Sequence, residues 1–151
     1  MPLSIKNQII ISDTSCLIGL SNIGLLEILK LLYETVLVTP EVAHEYGEAL
    51  PEWILIKAAK NKEKIAAYNV FIDLGESSAI ALAMETDNAL LVLDDWKARK
   101  FAIGNGLKVT GTLGILIRAH NRGYINDLSN VISQLKDAGF HLPANIGELI
   151  H

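Results

Sequence analysis

The stretch "IIISDTS", residues 9–15, decides how the rest of the chain is read. Three β-branched apolar residues in a row suit a short strand buried on both faces, as strands of a parallel sheet are. A serine follows, then Asp13, at a point where burying an unpaired carboxylate is costly. Two readings of Asp13 stand open. It caps the helix that "TSCLIGL" begins, or it is one ligand of a metal site whose other members lie elsewhere.

Working outward, apolar strands alternate with helical segments. "TVLVT" (35–39) and "ALLVLDD" (89–95) repeat the pattern of the first strand, and "LKVTG" (107–111) is a shorter copy. "EWILIKA" (52–58) reads as a short extended piece. "SCLIGLSNIG" and "LLEILKLLY" are two helical pieces hinged near Asn22 and Gly24. Thr39 followed by Pro40 is a helix start, and "EVAHEYGEAL" is predicted to continue that helix until Pro51. "NKEKIAAYNV", "GESSAIALAMETD", "WKARKFAIGNG", "TLGILIRAHNRG" and "INDLSNVISQLKDAGF" supply further helices, and "NIGELIH" closes the chain as an amphipathic one. Strand, helix, strand in short units implies a three-layer α/β/α fold with a central parallel sheet. Such sheets bind ligands beyond the C-terminal ends of their strands, where the strand order reverses. Asp13, Asp94 and Asp95 all fall at strand ends.

The 151 residues suffice for one domain, spanning 1–151, and are few for two. Half are hydrophobic and a fifth charged, which excludes a disordered chain. The formal charge of −4 argues against a broad nucleic-acid-binding surface, while leaving room for a local basic patch. Cys16 is the only cysteine; it is read as a small core residue, and a reducing, cytoplasmic setting is expected. No apolar run reaches the length of a membrane span.

The acids are individually unspecific. Glu45 lies one turn beyond the reach of its helix dipole and borders the inward face. Glu76 opens an alanine-rich helix, where a first-turn acid is ordinary. Asp73 reads as the cap before it. Asp95 as a helix cap accounts for one acid of its pair and not readily for both. Taken together they converge if the sheet is parallel, and clustered carboxylates repel one another unless a cation intervenes. Oxygen-only ligands select a hard ion, Mg²⁺ or Mn²⁺. The four histidines show no zinc spacing.

In this order and spacing, "IISDTSCLIGL", "VTPEVAHE", "LGESSAIALA" and "LLVLDDWKARKFA" resemble the four acidic motifs of the PIN domain. "GLKVTGTLGILIRAHNRGYI" resembles a PIN subfamily related to VapC-type toxins. The likeness runs from about Ile9 to Leu142. It implies metal-dependent cleavage of RNA phosphodiester bonds. Asp13 matches the first acid, Glu45 the second and Glu76 the third; the fourth falls on Asp94 or Asp95. The chain departs from many toxins in reading "VLDDW", with Leu93 where a hydroxyl residue is common. Asp13, Glu76 and Asp94 are expected to hold Mg²⁺ (or Mn²⁺), with Asp95 supporting and Glu45 holding a second ion or orienting water. Thr112 hydrogen-bonds an acid or a phosphate, or caps its helix.

Lys97 and Arg99, close after the acid pair, are the candidates for RNA contact, with Lys100, Arg118 and Arg122 behind them. Lys57, Lys60, Lys62 and Lys64 read as a solvated helix face. Trp53 and Trp96 read as packing residues, with stacking on bases as the alternative. No dinucleotide or P-loop motif is present. The expected function is an endoribonuclease, the toxin of a toxin–antitoxin pair, with an RNA substrate, a small antitoxin partner and a homodimeric state. The alternatives are a non-catalytic PIN-like module that binds RNA or protein and, less well matched, a phospho-receiver domain, which pairs its acids after the first strand.

Overall fold

The computed structural model of the chain describes residues 8–142. In chain order the elements are β1 (Ile9–Ile11), α1 (Thr14–Asn22), α2 (Ile28–Leu32), β2 (Thr35–Val38), α3 (Pro40–Tyr46), β3 (Ile54–Ile56) and α4 (Lys62–Tyr68). They continue with α5 (Leu74–Met84), β4 (Ala89–Val92), α6 (Trp96–Gly104), β5 (Lys108–Thr110), α7 (Thr112–Asn121) and α8 (Leu128–Asp137). The strands form one parallel sheet in the order β3-β2-β1-β4-β5.

β1 lies at the centre, with Ile9, Ile10 and Ile11 opposite Thr35, Val36 and Leu37 on one side and Ala89, Leu90 and Leu91 on the other. Alternate side chains of a strand point to opposite faces, and both faces here are covered. Ile10, Val36, Val38, Leu90 and Val92 pack with residues of α1, α2, α3, α7 and α8. Ile11, Leu37, Leu91 and Leu93 pack with residues of α4, α5 and α6. That double burial is why "III" carries no polar residue. α5 is covered on several sides, by strands and by neighbouring helices, and the small side chains of its buried Ala79, Ala81 and Ala83 let these elements approach closely.

The expected three-layer α/β/α architecture with its parallel sheet is the observed one. Several helix boundaries differ: α2 starts at Ile28, α5 ends at Met84 and α8 starts at Leu128, each inside the predicted segment, and the largest difference is at α3. α3 stops at Tyr46 instead of running to Pro51, because Gly47 takes a left-handed conformation (φ 74°) and donates its N–H to Ala43 O. The predicted C-terminal helix "NIGELIH" lies outside the described residues. No helix among the described residues is long and apolar enough to cross a membrane.

β1 leads to β2 on one side, and the chain returns to the other side of β1 as β4. The order therefore reverses between β1 and β4, and their C-terminal ends open the crevice where such sheets bind ligands.

Candidate active site

Asp13 ends β1 and meets both readings of its place in the sequence. Its Oδ1 accepts the N–H of Cys16 at 2.9 Å, which caps α1. Its Oδ2 accepts the N–H of Asp94 at 3.0 Å, across the crevice. The residue is 2% exposed. Burial raises its carboxyl well above the ordinary range, the charge of Asp94 raises it further, and the two N–H donors pull the other way. Capping alone would use one oxygen; the second one ties the two strand ends together.

Asp94 is held in turn by α7. Its Oδ1 accepts the N–H of Thr112 at 2.8 Å, and Thr112 Oγ1 donates to its Oδ2 at 2.6 Å. The N-cap of α7 is Gly111, which has no side chain, so Asp94 supplies the missing cap from another strand. A Cβ on Gly111 would stand 3.0 Å from Asp94 Oδ1 and 2.9 Å from an Arg99 nitrogen, so this residue is small for a reason of space. Asp95 does something different: its Oδ2 accepts the N–H of Ala98 at 2.9 Å and caps its own helix, α6.

Glu76 lies half-buried in the first turn of α5, next to Gly75. Burial pushes its carboxyl up to about 7, helped by the charges of Asp95, Asp73, Glu45 and Asp94. Glu45, on α3, reaches the same place: Thr14 Oγ1 donates to its Oε1 at 2.8 Å, and a Cβ on Gly75 would land on that oxygen. Burial and then the charge of Asp73 raise the Glu45 carboxyl, with the Thr14 hydroxyl opposing. Asp73 caps α5, its Oδ1 accepting the N–H groups of Gly75 and Glu76.

α3 and α5 are pinned together beneath these acids. Ser78 Oγ donates to Gly75 O at 2.7 Å, so its contact with Thr39 Oγ1, 2.6 Å away, takes the threonine's proton. Thr39 Oγ1 meanwhile accepts the N–H of Val42. Three buried polar groups are satisfied in one chain of bonds, which fixes the helix starts that carry Glu45 and Glu76. Acids from β1, β4, α3 and the start of α5 thus share one end of the sheet.

Compared with known families, residues 9–150 match the PIN domain. The chain belongs to the PIN-domain family. No curated protein matches it. PIN domains are generally nucleases and typically use divalent metals.

The donor chemistry of this PIN domain fits a hard cation. Glu76 has an elevated carboxyl surrounded by other acids, and each bonded oxygen of Asp13 and Asp94 retains a second lone pair. Among the described residues, however, no three His, Cys, Asp or Glu side chains are drawn into a set that could hold an ion as they stand.

Gly75, Gly111 and the Thr39–Ser78 pair were not read from the sequence as parts of the site. A glycine inside the first turn of an alanine-rich helix, where it costs helix stability, is a signal for close approach at Gly75. Thr112 unites its two readings, since its hydroxyl and its N–H both bind Asp94. Arg99 Nη1 donates to Leu93 O at 2.9 Å and thereby braces the loop that carries Asp94. Lys97 extends over the ring of Phe71, 6.0 Å from its centroid. Arg118 bonds the Tyr33 hydroxyl at 3.2 Å on the α2–α7 side. Cys16 is fully buried, and burial followed by the charges of Asp13 and Asp94 pushes its thiol up, as suits an inert core residue. Trp53 packs on the core, whereas Trp96 is 68% exposed instead of packed within this chain.

Proposed function

We propose that this PIN domain is a metal-dependent endoribonuclease, with Asp13, Glu76 and Asp94 as ligands of Mg²⁺ or Mn²⁺. The observation that carries the reading is the joining of Asp13 to Asp94 at the β1/β4 crevice, with Glu76 lifted to about 7 by burial and then by the acids around it. A bound divalent ion would supply charge stabilisation at the phosphoryl oxygens and a water made acidic enough to attack. The protein's share is positioning. Asp13 holds its orientation through two backbone donors, and Asp94 through both donors of Thr112. Glu45, held through Oε1 by Thr14, would hold a second ion or orient the water. Asp95 supports the centre by its charge and by fixing the start of α6. Arg99, which braces the loop that carries Asp94, and Lys97 are the cations that would meet the phosphate.

Within that reading the chain acts as the toxin of a toxin–antitoxin pair, as a homodimer that a small antitoxin protein would engage. Exposed apolar residues on α1 and α2, Ile18 and Leu31, support a helical contact surface. Light scattering at micromolar concentration should give a mass above the 16.5 kDa of one chain; a mass at that value argues against self-association. Mg²⁺ or Mn²⁺ at about a hundred times its dissociation constant should stabilise the fold by about 2.7 kcal/mol. That corresponds to a rise of roughly 5–10 °C in melting temperature for a chain of this size. An equal rise in wild type and Glu76→Gln would remove the ion from this site. The acids' open arrangement gives the second reading its footing: a chain that binds RNA and leaves it intact is a non-catalytic PIN-like module.

A further inference from the structure

Arg99 donates to a carbonyl that belongs to the same peptide unit as one of the N–H groups bound to Asp13. Its Nη1 meets Leu93 O at 2.9 Å, and the N–H of that peptide, on Asp94, meets Asp13 Oδ2 at 3.0 Å. Guanidinium, peptide and carboxylate thus form one chain of donors and acceptors. Asp13 is 2% exposed, and both of its hydrogen bonds come from backbone N–H groups, those of Cys16 and Asp94. A carboxylate buried this deeply is costly unless its donors are strong ones. A second observation is the space left at Gly111. A Cβ there would stand 2.9 Å from Arg99 Nη1, 3.0 Å from Asp94 Oδ1 and 3.7 Å from Leu93 O, so the glycine is what admits the guanidinium beside this loop.

We propose that Arg99 is a positioning residue for Asp13 that acts through the Leu93–Asp94 peptide: the cation polarises the carbonyl, and the polarised N–H holds the Asp13 carboxylate. Hydrogen bonds in such a chain strengthen one another by about 10–30% each, and bonds to a charged group are about twice as strong as neutral ones. Both effects add here, because the donor end of the chain is positive and the acceptor end negative. Arg99 reaches Asp13 without touching it, and the rest of its planar fork stays available to a phosphate. The same peptide starts the residue that carries the Asp94 side chain, so one arginine sets both strand-end acids of the β1/β4 crevice. The inference rests on the metal-dependent reading only in giving Asp13 the role of a ligand.

The test is amide NMR of the metal-free protein in EDTA, with no RNA present. Wild type is compared with Arg99→Met, which removes charge and donor at similar bulk, and with Arg99→Lys, which keeps both on a shorter stem. In Arg99→Met the Asp94 amide proton should move upfield. Its exchange, relative to the amides of β1 and β4 in the same sample, should quicken roughly 2- to 5-fold. Arg99→Lys should lie nearer wild type. Gly111→Ala should reproduce the Arg99→Met signature with the arginine still present, since the Asp94 carboxylate is held by two bonds and Nη1 by one. Urea unfolding of Arg99→Met, Asp13→Asn and the double variant then measures whether the two residues act together. The double variant's loss in the folding constant should fall short of the product of the single losses by roughly 2- to 150-fold, as for residues in one hydrogen-bond network. A loss equal to that product would make Arg99 an independent brace of its loop and overturn the proposal. So would an Asp94 amide whose shift and relative exchange are unchanged in Arg99→Met, including the case where all amides quicken alike. Cleavage enters none of these readings, so they stand or fall apart from the nuclease reading.

Discussion

Asp13 Oδ2 accepts the backbone N–H of Asp94 at 3.0 Å, joining residues 81 positions apart at the ends of two neighbouring strands. The same carboxylate caps α1 through Oδ1. Asp13 is therefore a fold residue and a candidate ligand at once, and an experiment must separate the two roles.

The amide variants do so. An asparagine at 13 can accept one N–H through its oxygen, and its NH₂ must then face the other donor. At 94 the same change is accommodated, since Asn Oδ1 can take the Thr112 N–H while the Thr112 hydroxyl turns to accept. We expect faster amide hydrogen exchange at Cys16 or Asp94 in Asp13→Asn, with both amides protected as in wild type in Asp94→Asn. Unchanged protection at both in Asp13→Asn would show that the strand-end tie does not hold this loop.

Stability should fall with rising pH. The Glu76 carboxyl titrates at about 7 in the folded protein and near 4.3 in the unfolded chain. Between those values the folded state binds more protons, so ∂ΔG/∂pH is negative. The penalty is absent below about pH 4 and complete above about pH 7. After discounting for the exposed half of the side chain, it amounts to about 1–2 kcal/mol. Urea titrations without divalent ions should show wild type losing this much between pH 5 and 8, and Glu76→Gln losing less. A parallel pH profile for the two proteins would place the titration elsewhere.

Gly75→Ala offers a way to move Glu45 without touching it. The added methyl would land on the Glu45 carboxylate, the far end of a flexible side chain, so the helix can keep its place while the glutamate swings off Thr14. Replacing a helical glycine by alanine by itself stabilises by up to about 1 kcal/mol. Melting within a few degrees of wild type, together with the activity loss of Glu45→Gln, is the expected result. Wild-type activity in Gly75→Ala would show that Glu45's position is immaterial.

What the sequence made legible follows the periodicities. The strand cores "III", "VLV" and "LLV" carry no polar residue, so the parallel sheet, and with it the strand ends where Asp13, Asp94 and Asp95 fall, could be read directly. The end of α3 could not, because a glycine in the left-handed region stops a helix as readily as Pro51 does, and the side-chain pattern does not distinguish them. The cap of α7 by Asp94 was hidden for a different reason: it crosses from one strand end to another helix, and sequence spacing of 18 residues holds no trace of it. The exposure of Trp96 likewise depends on which face of α6 meets the sheet. Ala98 and Ala102 turned out to take that face.

The most direct measurement is cleavage of a panel of RNAs that contain single-stranded regions, by wild type and by the two variants that preserve the fold, Glu76→Gln and Asp94→Asn. Losing one oxyanion-stabilising donor costs other enzymes roughly 10²–10³ in rate, and losing a carboxylate that holds the metal should cost at least as much. The account predicts Mg²⁺- or Mn²⁺-dependent cleavage by wild type, none in EDTA, a loss of that size in both variants and a milder one in Asp95→Asn, with RNA binding retained throughout. Cleavage that persists in Glu76→Gln and Asp94→Asn, or a pure wild type that binds these RNAs and cuts none with either ion, would contradict it.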